Sequence, residues 1–392
     1  MESTPACPDL SVSPESLLAA LSEVADARRA ASVVYPLGAM LALAVAAFAA
    51  GQTSVLAIAR WAARQEAATL EILGLPPGRV PCQSTLHRLF RHLDVASLTA
   101  QVQAAFAPVT APPAPGPQGI ALDGKGQRGR GRYSGRDYAV HAVTAVCHAT
   151  GLVVAHEPIT DHAGSTDTEL PAARRLLRRL DWAGRVVTGD RLYGQPWLCA
   201  AVLAAGGDYL LLVGGNQSRR YRALTTLLTD PSALPDARTV ETVEDGHGRV
   251  DERRVLSVTA AVAPLGDDWP GIQQAFRLTR TWTERGVAHT SVRYGITSLR
   301  PDQASPAQLL QVRRGHWTIE NRVHRQKDGL LREDASQVHC GSGPAVLSVL
   351  RDAALNLLYL HDIRTVLAHT QYLAQFPHHA LALVCQPLTT HA

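Results

Sequence analysis

Gly119-Ile120-Ala121-Leu122-Asp123-Gly124-Lys125 is the stretch from which the fold is read. Its apolar run has the character of a buried strand, and it stops at a carboxylate. Just upstream, Pro108 to Gln118 is rich in Pro and Ala, a linker composition that marks a domain boundary. Downstream, Tyr138 to Val146 and Leu152 to Ile159 read as two further strands joined by the turn His148-Ala149-Thr150-Gly151. Thr168 to Leu180 reads as a helix carrying Arg174, Arg175, Arg178 and Arg179. Arg185 to Asp190 is again a strand ending in a carboxylate, Pro196 to Ala205 a helix, and Tyr209 to Val213 a fifth strand. Alternation of this kind argues for an α/β domain.

Three strands, then helix, strand, helix, strand is the order of an RNase H-like core. From Gly214 to about Leu299 the alternation lapses into Thr-, Val- and Arg-rich segments with turns at Asp245-Gly246 and Glu284-Arg285-Gly286, read as a mostly β insertion. A long helix is predicted from about Ser305 to Lys327 and another from about Pro344 to His369. Residues 1–13 read as disordered, and the pattern from Pro14 to about Ala107 is helical throughout. The expected class is α/β: an RNase H-like core with a mostly β insertion, preceded by an all-α N-terminal domain. The expected division is a helical domain at 1–107, a linker at 108–118, the core at 119–372 with its insertion at about 214–299, and a loose tail at 373–392.

The chain has 392 residues, 46% of them hydrophobic, enough for a large core and two or three domains. A formal charge of +4 points mildly to a polyanionic partner. Lys125 and Lys327 are the only lysines. If Arg has replaced Lys wherever either serves, these two stand where a planar guanidinium does not serve. The six cysteines are scattered without C-x-x-C spacing, which argues against a zinc knuckle or a disulfide framework and fits a reduced, cytoplasmic setting. Val33 to Ala50 is almost wholly apolar, but it is Ala-rich and contains Pro36, so it reads as a buried helix and not a membrane span. Following the Gly/Pro-rich turn at Leu73 to Pro81, Ser84 is a candidate N-cap. Leu86, Leu89, Phe90 and Leu93 then form an apolar stripe, with His87, Arg88, Arg91 and His92 off it. The second helix of a helix-turn-helix and an ordinary amphipathic helix both fit this pattern.

Two acids, Asp123 and Asp190, end predicted strands, and a third, Glu320, lies on the long helix. Phosphoryl transfer with two metal ions needs carboxylates that converge on ions roughly 3.5–4 Å apart. Asp and Glu suit Mg²⁺ because they offer hard oxygen ligands. Spacing alone does not single these acids out, since each by itself could be a turn residue or a helix cap. His156-Glu157 and Asp161-His162 read as a strand end and a polar turn, because their spacing does not match a helical metal-binding His pair.

The local sequences narrow the choice. Asp123-Gly124-Lys125 followed by Arg128-Gly129 resembles the first motif of the H-repeat-associated insertion-sequence transposases, and Asp190 with Gln195 resembles the second. His316-Trp317-Thr318-Ile319-Glu320-Asn321, with His324, Asp328 and Arg332-Glu333-Asp334-Ala335-Ser336, is similar to the third, preceded by Ile296-Thr297-Ser298-Leu299. Tyr35-Pro36-Leu37, Gly51 and Ile58-Ala59-Arg60-Trp61 resemble the associated N-terminal domain. The similarity runs from about residue 30 to about residue 370. Arg191, Arg325 and Gly329 depart from the pattern.

The resemblance implies a DDE transposase with Asp123, Asp190 and Glu320 as its catalytic, metal-binding triad. It implies Mg²⁺, with Mn²⁺ able to substitute, and double-stranded DNA as partner, both the element's terminal inverted repeats and the target. A homodimer or higher oligomer is expected in the synaptic complex, and no membrane. A catalytically inactive DNA-binding relic and a structure-specific nuclease on the same fold are the alternatives.

DNA contacts are expected from several basic residues. Arg88 and Arg91 face the element ends, and Lys125, Arg128 and Arg130 lie near the centre, with Arg132 and Arg136 beyond them. On a regular helix Arg313, His316, His324 and Lys327 share the face of Glu320 and point into the groove with it. The plainer alternative for that face is a set of solvated ion pairs.

Overall fold

The computed structural model describes residues 11–110, 117–127, 140–159, 167–229, 236–246, 249–258, 265, 269–284, 287–361 and 365–389. Within them one sheet carries nine strands: β1 (Gln118–Gly126), β2 (Val140–Cys147), β3 (Val153–Pro158), β4 (Arg185–Gly189), β5 (Asp208–Val213), β6 (Arg238–Gly246), β7 (Arg249–Val258), β8 (Gln274–Glu284) and β9 (Val287–Thr297). Their order is β3-β2-β1-β4-β5-β9-β8-β7-β6. β1, β2 and β3 pair antiparallel, whereas β1-β4 and β4-β5 pair parallel, which is the RNase H-like half of the sheet. The β insertion extends that same sheet, because β9 pairs antiparallel with β5 and β6 to β9 form a meander.

Successive strand residues point to opposite faces, and here that alternation sorts the core. Ile120, Leu122 and Val187 face a cluster completed by α7 (Glu169–Leu177) and α8 (Pro196–Ala204), with Trp182 and Trp269 fully buried in it. Ala121 and Val186 face the other side. There Leu309 and Leu310 of α10 (Pro306–Gly315) pack on β4 and β5, and Ile319 and Val323 pack on Ala121, Val146 and Val153. Between β5 and β6 runs α9 (Ser218–Leu227).

The predicted single helix from Ser305 to Lys327 is interrupted. α10 starts at a capping box formed by Ser305 and Gln308. Past a turn at His316-Trp317, residues Ile319–His324 are wound as a π-helix, and α11 (Arg325–Gly329) follows. A π turn spends an extra residue per turn, so it rotates everything after it relative to a regular helix.

A third layer is helical: α1 (Leu17–Ser22), α2 (Leu37–Ala49), α3 (Val55–Ala62), α4 (Ala67–Ile72), α5 (Gln83–His92) and α6 (Val95–Thr110). Every residue of α2 is buried, which accounts for its apolar composition. No helix among the described residues is long and apolar enough to cross a membrane. The cap position of α5 is Cys82, so Ser84 lies inside the first turn and is not the N-cap.

The loose tail is corrected by the structure. α12 (Gly343–Leu360), α13 (Val366–Gln375) and α14 (Pro377–Cys385) belong to the same core as the N-terminal helices. Leu381, Val384 and Cys385 are buried, the Ser13 N–H donates to the Cys385 carbonyl at 2.9 Å, and Ser16 bridges to Pro387. Sequence periodicity could not show this, because the apolar face of α14 is completed by helices more than three hundred residues earlier. Truncation after Gln375 is therefore expected to lower the melting temperature clearly, since each large apolar side chain lost from the core is worth about 1.5–3 kcal/mol. A parent-like thermal melt of the truncated chain would count against this packing.

α12 also fastens the helical layer to the sheet. The Asn356 side chain accepts from the Val153 N–H at 2.8 Å and donates to the Val153 carbonyl at 2.9 Å, satisfying the outer edge of β3.

Candidate active site

β1 and β4 are parallel neighbours in which Ala121 pairs with Thr188. Two residues on, the same alternation sets Asp123 and Asp190 side by side on the face covered by α10 and the π turn. Glu320, in the first turn of the π segment, reaches over from that cover. Asp123, Asp190 and Glu320 together line one cleft of about 680 Å³, whose walls include Arg293, Arg313 and Trp317.

Each acid is oriented by a neighbour. The Gly124 N–H donates to Asp123 Oδ1 at 3.0 Å, and the Leu192 N–H donates to Asp190 Oδ1 at 2.7 Å. His324 Nδ1 lies 3.2 Å from Glu320 Oε2 and 3.6 Å from Asp123 Oδ2, so the ring bridges the helix acid and the strand acid. One ligand atom from each of Asp123, Glu320 and His324 falls within 4.8 Å of the others. Asp190 stands at the rim of this group, exposed, with one oxygen committed to the turn after β4.

Burial lifts the Asp123 carboxyl to about 6; His324 opposes the shift, while Asp190 and Glu320 add to it. The Glu320 carboxyl is held below its usual value, first by its hydrogen bond with His324. A fourth acid, Glu169 at the start of α7, comes up from the opposite side of the sheet. A Cβ on residue 124 would lie 2.5 Å from its carboxyl carbon, so Gly124 is what lets Glu169 approach. The Tyr193 hydroxyl donates to Glu169 Oε1 at 2.6 Å, and burial raises the acid's pKa, with further upward pressure from Asp123 and Asp190. The sequence offered no signal for Glu169, since an acid in a helix's first turn reads simply as a partner of the helix dipole.

Below the cleft floor, Thr188 Oγ1 lies 2.9 Å from His148 Nε2 and 3.1 Å from His316 Nδ1. Burial, with Arg313 nearby, pushes both imidazoles down to about 3. His316 is largely buried yet lines the cleft. Its contact with Thr188 ties β4 to the helix.

Lys327, expected to point into the groove with Glu320, is turned into the interior instead. It is 1% exposed, with Nζ 2.9 Å from Asp352 Oδ1, 3.4 Å from Glu333 Oε1 and 2.7 Å from Ser348 Oγ. The π turn rotates it away from the face of Glu320 and into the layer against α12. His324 is buried as well, between the acids. Lys125 is buried and ion-paired with Asp328 at 2.6 Å, which ties β1 to α11 just behind the acids. Arg313 lies on the cleft wall, and Arg88 and Arg91 are exposed on α5. Arg128 and Arg130, with Arg132 and Arg136, lie outside the described residues, as do Asp161 and His162. His156 pairs with Asp352 at 2.8 Å and Glu157 with Arg175 at 2.6 Å, so neither belongs to a metal site here.

The family model described as "Transposase DDE domain" matches residues 114–357, and the one described as "DDE_Tnp_1-associated" matches residues 18–105. Similar proteins include the "Putative transposase YncI" of Escherichia coli O157:H7, 29% identical over 245 residues, 61% of each chain. The "H repeat-associated putative transposase YhhI" of Escherichia coli strain K12 is 27% identical over 247 residues, 61% of this chain and 63% of that one. The matched region thus spans about three-fifths of the length of these relatives. The DDE model covers more than half of the chain and takes in all three acids; this protein belongs to the transposase DDE domain family.

Proposed function

We propose that this chain is a DDE transposase that binds the terminal inverted repeats of a mobile element, nicks the DNA by Mg²⁺-dependent hydrolysis, and joins the freed 3′-hydroxyl to target DNA. The observation that carries the reading is the convergence of Asp123, Asp190 and Glu320, from two strands and a distant helix, on one cleft with arginines in its wall.

The donor set fits a divalent ion. It is made of hard carboxylate oxygens, and Asp123 is raised first by burial, with Asp190 and Glu320 adding to the shift against His324, so a cation there would be favoured. Asp123, Asp190 and Glu320 would hold Mg²⁺, or Mn²⁺ in its place. A bound ion supplies Lewis-acid stabilisation of phosphoryl oxygens and a more acidic attacking water. The chain's own part is positioning. The Gly124 and Leu192 N–H groups fix the two strand acids, His324 fixes Glu320 against Asp123, and the Lys125–Asp328 pair locks the helix to the strand. Arg88 and Arg91 on the exposed face of α5 are the proposed contacts to the element ends, and Arg313 a contact to the cleaved strand. A homodimer or higher oligomer would bring two ends together.

The test is conversion of supercoiled plasmid carrying the element's ends to the nicked form. Nicking is expected with Mg²⁺ or Mn²⁺, to be poor with Ca²⁺, whose looser geometry serves in-line attack badly, and to be absent in EDTA. Nicking that persists in EDTA overturns the reading. Specific end binding without nicking under any ion supports the inactive relic instead.

A further inference from the structure

A second groove of about 730 Å³ opens beside the active-site cleft, between the α10–π-turn helix and strands β7 to β9. Arg293, Arg313 and Trp317 line both spaces, so the two are continuous. Among the described residues six arginines line this groove and no acid does. Arg253 on β7 stands directly opposite Arg280 on β8, with Ser291 of β9 next in the row. Like charges facing each other across a strand pair weaken it, so fold stability does not explain the choice. Glu244 pairs with Arg253 and Arg314 at the outer rim only.

Toward the active site Arg293 and Arg313 stand on the wall that also carries Asp123, Asp190 and Glu320. Arg313 Nε is buried with no hydrogen-bond partner. Burial, then the neighbouring Arg293, pushes its guanidinium down to about 10, with Asp190 acting the other way, and a phosphate would be a further anionic partner. At the junction of the two spaces the Trp317 indole is 60% exposed, three residues before Glu320. A large apolar ring left in water beside a catalytic acid has no packing role.

We propose that this groove holds an unpaired DNA strand leading from the scissile phosphate, with Arg293 and Arg313 gripping the adjacent phosphate and Trp317 stacking on a base. An unpaired strand fits better than a duplex because an exposed indole can stack only on a base face that is free. Arginines interleaved with an aromatic ring are the usual means of holding single strands without reading sequence. The proposal rests on the DNA-processing reading above and adds a strand-specific site to it.

The test uses the full chain and two fluorescent probes, a dT oligonucleotide and a duplex of equal length, with Ca²⁺ present. Trp317→Ala should weaken dT binding about tenfold and leave duplex binding within about twofold, whereas Trp317→Phe keeps dT binding. Arg293→Ala and Arg313→Ala should each lower the salt slope of dT binding by about 0.7. Equal dT affinity for Trp317→Ala and parent overturns the proposal, as does an equal loss on both probes. Plasmid nicking by the parent is measured alongside. If the parent nicks and Trp317→Ala binds dT normally, only the strand site falls; a parent that neither nicks nor binds either probe overturns both readings.

Discussion

Replacing Asp123 with Asn is expected to cut metal-dependent nicking at least about a thousandfold, roughly 4 kcal/mol of barrier, while leaving the fold intact. Asn keeps the volume and the contact with the Gly124 N–H, but it gives the ion a neutral ligand in place of an anion. The apo variant should also be no less stable than the parent at neutral pH. The Asp123 pKa in the fold is about 6, above the ordinary 3.8. An acid raised on folding favours the folded state when protonated and costs stability once ionised. That cost is absent below about pH 4, grows as the pH rises from about 4 to about 6, and is complete above it. Asn removes the cost. Mg²⁺ should therefore raise the melting temperature of the parent at pH 7 and fail to raise that of the variant. Parent-level nicking by Asp123→Asn would remove this residue from the site. A normal melt with the ion-induced shift retained would place the ion elsewhere.

The sheet and its two acids were legible in the sequence because strand alternation is local. Apolar runs ending at Asp123 and Asp190, two residues beyond a paired Ala121 and Thr188, give both their place and their face. The helix acid was legible by motif, but the neighbours assigned to it were read from a regular helix. The turn at His316-Trp317 and the π winding at Ile319–His324 break that regularity. Lys327 is consequently turned inward, off the face of Glu320, whereas His324 does share that face, 3.2 Å from Glu320. A π turn leaves no compositional trace, since it depends on how the helix seats over Ala121 and Val146. Contacts such as Lys125 with Asp328 or Val153 with Asn356 join residues 203 apart, and no periodicity reports them. Each of the two lysines sits in a confined ion pair, Lys125 with Asp328 and Lys327 with Asp352, which no local pattern reports.

That reversal makes Lys327 the site of the second large effect. Asp352 and Glu333 are buried around its ammonium, with Arg351 and His156 completing the group. Lys327 holds Asp352 ionised, near 2, against a burial penalty that acts the other way. Lys327→Ala leaves both acids in the interior with only His156, 2.8 Å from Asp352, and Arg351, 3.8 Å from Glu333, close by. Breaking a buried pair from one side costs about 3–5 kcal/mol when the remaining charge is left unpaired, an upper bound here because Arg351 and His156 stay in place. The variant should therefore unfold at much lower denaturant, or fail to accumulate. Lys327→Met combined with Asp352→Asn should recover part of the loss, since it removes one of the orphaned charges. The pH dependence has a definite sign. Asp352 is depressed on folding, so its contribution is full above about pH 4 and is lost as the pH falls toward about 2. Lys327 is raised on folding, so its own contribution is full below its ordinary 10.5 and is lost only as the pH climbs through its folded value. If Lys327 instead met DNA, Lys327→Ala would keep the parent's denaturation midpoint and lose only affinity. Measuring both quantities on the same preparation separates the two roles. A parent-like midpoint would require the lysine to leave this cluster in the working enzyme.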